Sequence, residues 1–117
     1  MHLTPRENER LTLFVAAEFA RRKFRDGVKL NHPETIAIIC DELLEQARYG
    51  NKSLSDVIAL GRRILTKEDV MTGVDKLIPI IQVEGMFDDE AKLITVYDPI
   101  TCSNRLELEG ETYITLN

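Results

Sequence analysis

The sequence has no tryptophan, two cysteines, six glycines and four prolines among its 117 residues. The cysteines, Cys40 and Cys102, lie far apart. That spacing excludes a disulfide framework and fits a reducing compartment. No stretch approaches the roughly 18 apolar residues of a membrane span. The N-terminal stretch is polar and lacks the apolar core of a secretory signal. Together these absences set the expectation of a cytoplasmic protein with no membrane partner. A basic excess is also missing: 15 Lys and Arg stand against 20 Asp and Glu, a net charge of -5. A dedicated nucleic-acid binder would show the opposite balance. Neither His-x-x-x-His nor Cys-x-x-Cys occurs, and there is no phosphate-cradling glycine loop and no Gly-x-Ser-x-Gly. Internal repeats and low-complexity segments are absent as well.

What remains is the material of one small domain. The apolar fraction is 44% and the charged fraction 30%, ordinary for a solvated globular chain. A chain of this length buries about 65% of its unfolded surface, enough for a modest core.

Thr4, Pro5 and Glu7 form a capping box with proline at the first helical position. Asn8 is polar where an apolar partner for Leu3 would complete a hydrophobic staple. The helix that follows carries Leu11, Phe14, Val15, Phe19 and Phe24. Lys23 and Arg25 suit the negative end of its dipole, and Gly27 serves as C-cap. Asn31 and Glu34 repeat the box, with Pro33 in the first turn. Ile36, Ile39, Cys40, Leu43, Leu44 and Ala47 then follow at helical spacing, the clearest periodic signal in the chain. Gly50 ends this second helix. Ser53 opens a third, with Leu54, Val57, Ile58, Gly61, Ile64 and Leu65 on one face. A glycine inside that stripe costs about 1 kcal/mol against alanine, which predicts close approach of another backbone. Thr66 and Asp69 start one more short helix, closed by Gly73.

Beyond Pro79 the period changes to two. Ile81, Val83, Gly85 and Phe87 alternate with Gln82, Glu84 and Met86. Asp88 to Ala91 reads as a four-residue acidic turn, and Leu93 to Tyr97 as a β-branched strand stopped by Pro99. This is a hairpin. An isolated hairpin is marginal in water, so it must pack on the helices or join another chain's sheet. Leu106 and Leu108, then Gly110, Thr112, Ile114 and Leu116, suggest a second, weaker hairpin. The expected architecture is α+β: three main helices and a short one, packed with a C-terminal hairpin.

Candidate chemistry is thin. His2 and His32 each neighbour a helix start and read as exposed or capping residues, because a metal needs three or four converging ligands. Cys40 lies on the apolar stripe and reads as a buried, inert thiol. Nothing marks Cys102, in the tail, as a nucleophile. The basic run Arg21-Arg22-Lys23-Phe24-Arg25 fits a cation-biased helix end, a grip on an acidic partner, or an inter-subunit salt-bridge surface. Asp88, Asp89 and Glu90 are too few and too close together for a calcium loop. No catalytic, cofactor-binding or metal-ligating residue is therefore assigned to this chain.

Several blocks, taken in order, resemble the urease gamma subunit family over residues 1–100. They are Leu3-Thr4-Pro5-Arg6-Glu7; Lys29-Leu30-Asn31 with Pro33-Glu34; Glu45 with Ala47-Arg48 and Gly50; Leu65-Thr66 with Val70-Met71 and Gly73-Val74; Ile78-Pro79 with Gln82-Val83-Glu84; and Lys92-Leu93 through Pro99-Ile100. The resemblance implies a non-catalytic structural subunit, assembled with alpha and beta subunits as a trimer of heterotrimers. It implies hydrolysis of urea to ammonia and carbamate at two nickel ions bridged by a carbamylated lysine. In the family those groups sit in the alpha subunit, and no residue here matches that site. Departures from the family pattern are His32 in place of an aromatic, Tyr97 in place of a histidine, Tyr49 in place of an acidic residue, an extra residue near Asn51, and Gly85 in place of alanine. Residues 101–117 form a C-terminal extension, read as a linker or as the start of a beta-subunit-like region. Tyr113 to Asn117 resembles the opening of that region in fused ureases. The competing reading is a free-standing helical adaptor that uses Arg21 to Arg25 to bind an acidic partner. An independent small enzyme has no supporting constellation.

Overall fold

The computed structural model describes residues 2–108. Three α-helices lead: α1 (Pro5–Arg25), α2 (His32–Arg48) and α3 (Leu54–Gly61). Two 3-10 turns follow at Lys67–Asp69 and Asp75–Leu77, then strands β1 (Ile80–Phe87) and β2 (Glu90–Tyr97), and a third 3-10 turn at Arg105–Leu108. The α+β expectation is met: a helical layer carries an antiparallel hairpin on its flank.

Each α-helix begins with a reciprocal capping box. Glu7 N–H donates to Thr4 Oγ1 at 3.1 Å while Thr4 N–H donates to Glu7 at 2.9 Å. Asn31 and Glu34 exchange two 3.0 Å bonds. Ser53 and Asp56 do the same at 3.1 and 3.2 Å, with aspartate in the role usually held by glutamate. These boxes satisfy amide donors that a helix start leaves without partners.

The end of α1 is equally well defined. Gly27 adopts φ +77°. Its N–H reaches Phe24 O at 3.1 Å, and Val28 N–H reaches Lys23 O at 2.9 Å. This is the paired 5→2 and 6→1 closure that needs a left-handed residue just past the cap. Asp26 is the capping residue itself, so Gly27 lies one position beyond the place expected of it.

α2 is the central element, in contact with α1, α3 and β1. Ile38, Ile39, Leu43 and Ala47 are fully buried, and Ile36 and Leu44 flank them half-exposed. Gly61 ends α3 where the helix crosses β2. A Cβ there would stand 2.8 Å from Val96 Cγ2 and 3.0 Å from Leu43 Cδ2. Close approach is thus real, but it comes from two side chains and not from a backbone. The helix also stops sooner than its stripe suggested. Arg62 and Arg63 bond back only three residues, to Ala59 and Leu60, and Ile64 and Leu65 are buried in the chain beyond the helix.

The short helix expected from Thr66 to Gly73 is instead two 3-10 turns, with Gly73 between them at φ +89°. Val70 is extended and forms a parallel bridge with Leu30, which pulls the chain out of helix after one turn. Leu30 N–H donates to Asp69 O at 3.0 Å, and Met71 N–H to Leu30 O at 2.8 Å.

β1 and β2 pair in register from Ile80↔Tyr97 to Phe87↔Glu90. The connection is a two-residue turn, Asp88-Asp89, with φ +49° and +68°, and not the four-residue turn expected. Positive φ at both central residues is the geometry whose twist matches a hairpin. Glu90 and Ala91 therefore belong to the strand. Ile81, Gly85 and Phe87 of β1, with Ile94 and Val96 of β2, face the helices. At the open end, Asp98 (φ +46°) donates its N–H to Pro79 O at 2.9 Å.

Leu106 and Leu108 lie in the last 3-10 turn and not in a strand. Leu108 is fully buried while Leu106 is 71% exposed. The remainder of the expected second hairpin, Gly110 to Leu116, lies outside the described residues.

Candidate functional site

The candidate metal and catalytic residues do not converge. His2 is exposed, and His32 is half-buried at the start of α2. Cys40 is buried and Cys102 half-buried, and neither takes part in a disulfide. Burial, with the neighbouring Asp41 charge adding to it, pushes the Cys40 thiol up to about 11, which leaves it protonated and inert at neutral pH. Asp88 and Asp89 form the hairpin turn. Among the described residues, no group of three or more histidine, cysteine or acidic side chains is placed to hold a metal ion.

The basic run splits along the helix. Arg21 turns inward and is only 6% exposed. Its guanidinium donates to Asp41 at 2.5 Å, to Glu42 at 2.8 Å and to Glu18 at 2.7 Å. Three turns earlier on the same face, Arg10 donates to the other Asp41 oxygen at 2.6 Å and to Glu45 at 2.7 Å. Burial disfavours the charge on Arg21, yet its hydrogen bonds to the Asp41 and Glu42 carboxylates outweigh it and its pKa is raised. Lys23 pairs with Glu34, and Phe24 packs half-buried on the core. Arg22, Lys23 and Arg25 stay exposed, Lys23 in its pair with Glu34, while Arg21 and Phe24 are taken inward. The adaptor reading loses its grip here.

Asp41 is the residue that sequence reasoning missed. It is 1% exposed and sits between two arginines of α1, so the seam between α1 and α2 is ionic. The signal was present. A carboxylate inside the run Ile38-Ile39-Cys40-Asp41-Glu42-Leu43 cannot be buried alone. Arg10 and Arg21, eleven residues apart, share one face of a helix.

α1 meets α2 through these charges and through the small Ala17 and Ala20; Leu13 and Phe24 also pack on the core, while four other large apolar residues point away. Leu11 is 51% exposed, Phe14 43%, Val15 44% and Phe19 63%. They line one outward stripe at i, i+3, i+4 and i+8. The hairpin repeats the pattern: Ile80, Met86, Leu93 and Tyr97 are exposed on its outer face. Between the start of α1, the end of α2 and β1 lies an open cleft of about 580 Å³, lined by Leu13, Leu44, Val83, Arg6, Arg10 and Arg48. Its arginines are already engaged: Arg6 with Glu84, Arg10 with Asp41 and Glu45, Arg48 with Glu45.

Comparison with known proteins agrees with this geometry. The profile of the family described as "Urease, gamma subunit" matches residues 1–100. A protein named urease subunit gamma from Natronomonas pharaonis is 52% identical over 109 residues, spanning 93% of this chain and 99% of that relative. A family profile matched over residues 1–100 and a relative 52% identical along nearly its whole length lead to one conclusion: the chain belongs to the urease gamma subunit family.

Proposed function

We propose that this chain is a non-catalytic, structural member of its complex. As a gamma subunit it is part of urease, the urea amidohydrolase, which hydrolyses urea. The observation that carries the structural role is the outward stripe of α1, Leu11, Phe14, Val15 and Phe19, left exposed although Leu13 and Phe24 of the same helix pack on the core. Such a face is stable only when another chain covers it, and obligate interfaces are large and apolar.

The partners in this reading are alpha and beta subunits, assembled as a trimer of heterotrimers that makes ammonia and carbamate. The side chains described here do not fit a nickel pair: the two histidines stand at separate helix starts and no ligand cluster joins them. In this reading the nickel sits in the alpha subunit, as the family resemblance implies, and no catalytic step is routed through this chain. A cytoplasmic setting is supported by two cysteines outside any disulfide. No helix among the described residues is long and apolar enough to cross a membrane. Residues 101–117 are read as an extension of the gamma-like region 1–100. The 109-residue match to a relative covered over 99% of its length favours that over the start of a fused beta-like region.

The test is co-expression. The isolated chain is expected to aggregate, and the alpha and beta subunits to bring it into solution as a stoichiometric, nickel-dependent urease. A monomer that stays in solution and never co-purifies with them would refute the proposal, as would ureolysis by the purified chain with nickel alone.

A further inference from the structure

The chain beyond Ile100 turns back onto the body of the molecule. Lys67 N–H donates to Cys102 O at 2.9 Å and Glu68 N–H to Ser103 O at 3.2 Å. Ser103 N–H is held by Glu107 at 2.9 Å, which sets up the turn Arg105–Leu108. From that turn Arg105 reaches two other elements. Its guanidinium stands 2.9 Å from the Asp69 carboxylate and 5.1 Å from the centre of the Phe24 ring at the end of α1. Asp69 is already fixed, since it accepts from Thr66 N–H at 2.7 Å and from the Thr66 hydroxyl at 2.9 Å. At the far end Leu108 is fully buried, and its carbonyl accepts from Arg63 at 3.1 Å.

A trailing segment would leave Leu108 in water and the carbonyls of Cys102 and Ser103 bonded to solvent. Here three kinds of contact converge on eight residues: backbone bonds, a charge pair whose cation also lies over an aromatic ring, and a buried leucine. They bind elements distant in sequence. Phe24 ends α1, Asp69 ends the first 3-10 turn, and Arg63 follows α3.

We propose that residues 101–108 are a clasp that ties the C-terminal end of α1, the turn at Lys67–Asp69 and the segment after α3 into one unit. The proposal rests on the reading of residues 101–117 as an extension and gives its first part a task. The clasp holds the end of the helix that carries the outward apolar stripe.

Hydrogen exchange on the full chain tests this at the Lys67 and Glu68 amides, which the clasp covers. Truncation after Leu108 should leave their exchange slow. Truncation after Ile100 should speed it by about tenfold or more, while the α2 amides of Ile39 and Leu43 stay protected. Arg105→Ala in the full chain should speed the same two amides. Arg105→Lys, which keeps the charge but not the planar guanidinium, should fall between the wild type and Arg105→Ala. The clasp is overturned if the two amides exchange at unprotected rates in the full chain, or if truncation after Ile100 leaves them unchanged. Should that truncation fail to fold, unchanged exchange in Arg105→Ala overturns it instead. None of these readouts measures assembly or ureolysis, so the assignment to urease stands or falls separately.

Discussion

Asp41 sets the energetics at the scale of single residues. Each of its oxygens meets an arginine, at 2.6 and 2.5 Å, and it is almost completely buried. Removing one partner of a buried pair strands the other charge and costs about 3–5 kcal/mol. Asp41→Ala leaves Arg10 its bond to Glu45 and Arg21 its bonds to Glu18 and Glu42, so it should cost less than that, about 1–3 kcal/mol. Guanidinium chloride is the denaturant to use, because urea is the complex's own substrate. A change below 1 kcal/mol would show that water already screens the seam. Gly61 is the second such position. An added Cβ would press on Val96 and Leu43, and Val96 is stiff at χ1. Gly61→Ala should cost about 1–3 kcal/mol by overpacking, enough to outweigh the gain in helix propensity.

At the scale of elements, the hairpin turn and the start of α2 give opposite lessons. Asp88 and Asp89 are both left-handed, a conformation that disfavours L-residues by about 1 kcal/mol. Asp89→Gly should raise stability by about 0.5–1 kcal/mol without changing the register Phe87↔Glu90. A shifted register in amide exchange would refute it. At the start of α2, burial works to raise the Glu34 pKa, but the bond from the Asn31 backbone and the pair with Lys23 outweigh it and hold it below its ordinary 4.5. A depressed acid contributes stability that is present above 4.5 and is lost as pH falls through its folded value. Stability should thus decline on acidification below about pH 4.5. Glu34→Gln should flatten that limb while keeping the cap, since glutamine serves a capping box equally well. Burial raises the neighbouring Glu42 despite its bond to Arg21, so its slope has the opposite sign and survives the substitution. An acid limb unchanged in Glu34→Gln would assign the slope to another group.

The same scale shows what could be read from residues alone. The capping boxes of α1 and α2 and the Gly27 closure were legible because they depend on residues within one turn of each other; the box of α3 was not, because Asp56 holds a place usually held by glutamate. The hairpin was legible from its period of two, but its turn was not. Two aspartates with positive φ are uncommon, so the count favoured a longer loop, and only pairing with β1 draws Glu90 and Ala91 into the strand. Ile64 and Leu65 continued the stripe of α3, yet the core takes them as chain beyond the helix. The stripe of α1 was visible as apolar spacing. Its direction was not, because that depends on Arg10 and Arg21 finding Asp41 on another helix. Leu108 read as strand because its pattern carries no mark of Arg105 meeting Phe24 and Asp69.

For the whole molecule, the outward apolar surface decides behaviour. Phe19 is the most exposed member of the α1 stripe, and aromatic anchors of that kind carry a large share of interface energy, about 2 kcal/mol or more each. Phe19→Ser should make the isolated chain easier to keep in solution and weaken its retention in the complex, read by size-exclusion chromatography of the co-expressed subunits. Improved solubility with undiminished retention would place the docking face elsewhere, on the hairpin flank of Ile80, Leu93 and Tyr97.

The outward stripe of the first helix has a consequence for how such a protein is manufactured. Copies made ahead of their companions have only each other to stick to, and the bare edges of a two-stranded ribbon invite the same error. The tolerable amount of this polypeptide is then fixed by the supply of its companions, and matched synthesis becomes a requirement written into the direction in which Leu11, Phe14, Val15 and Phe19 point.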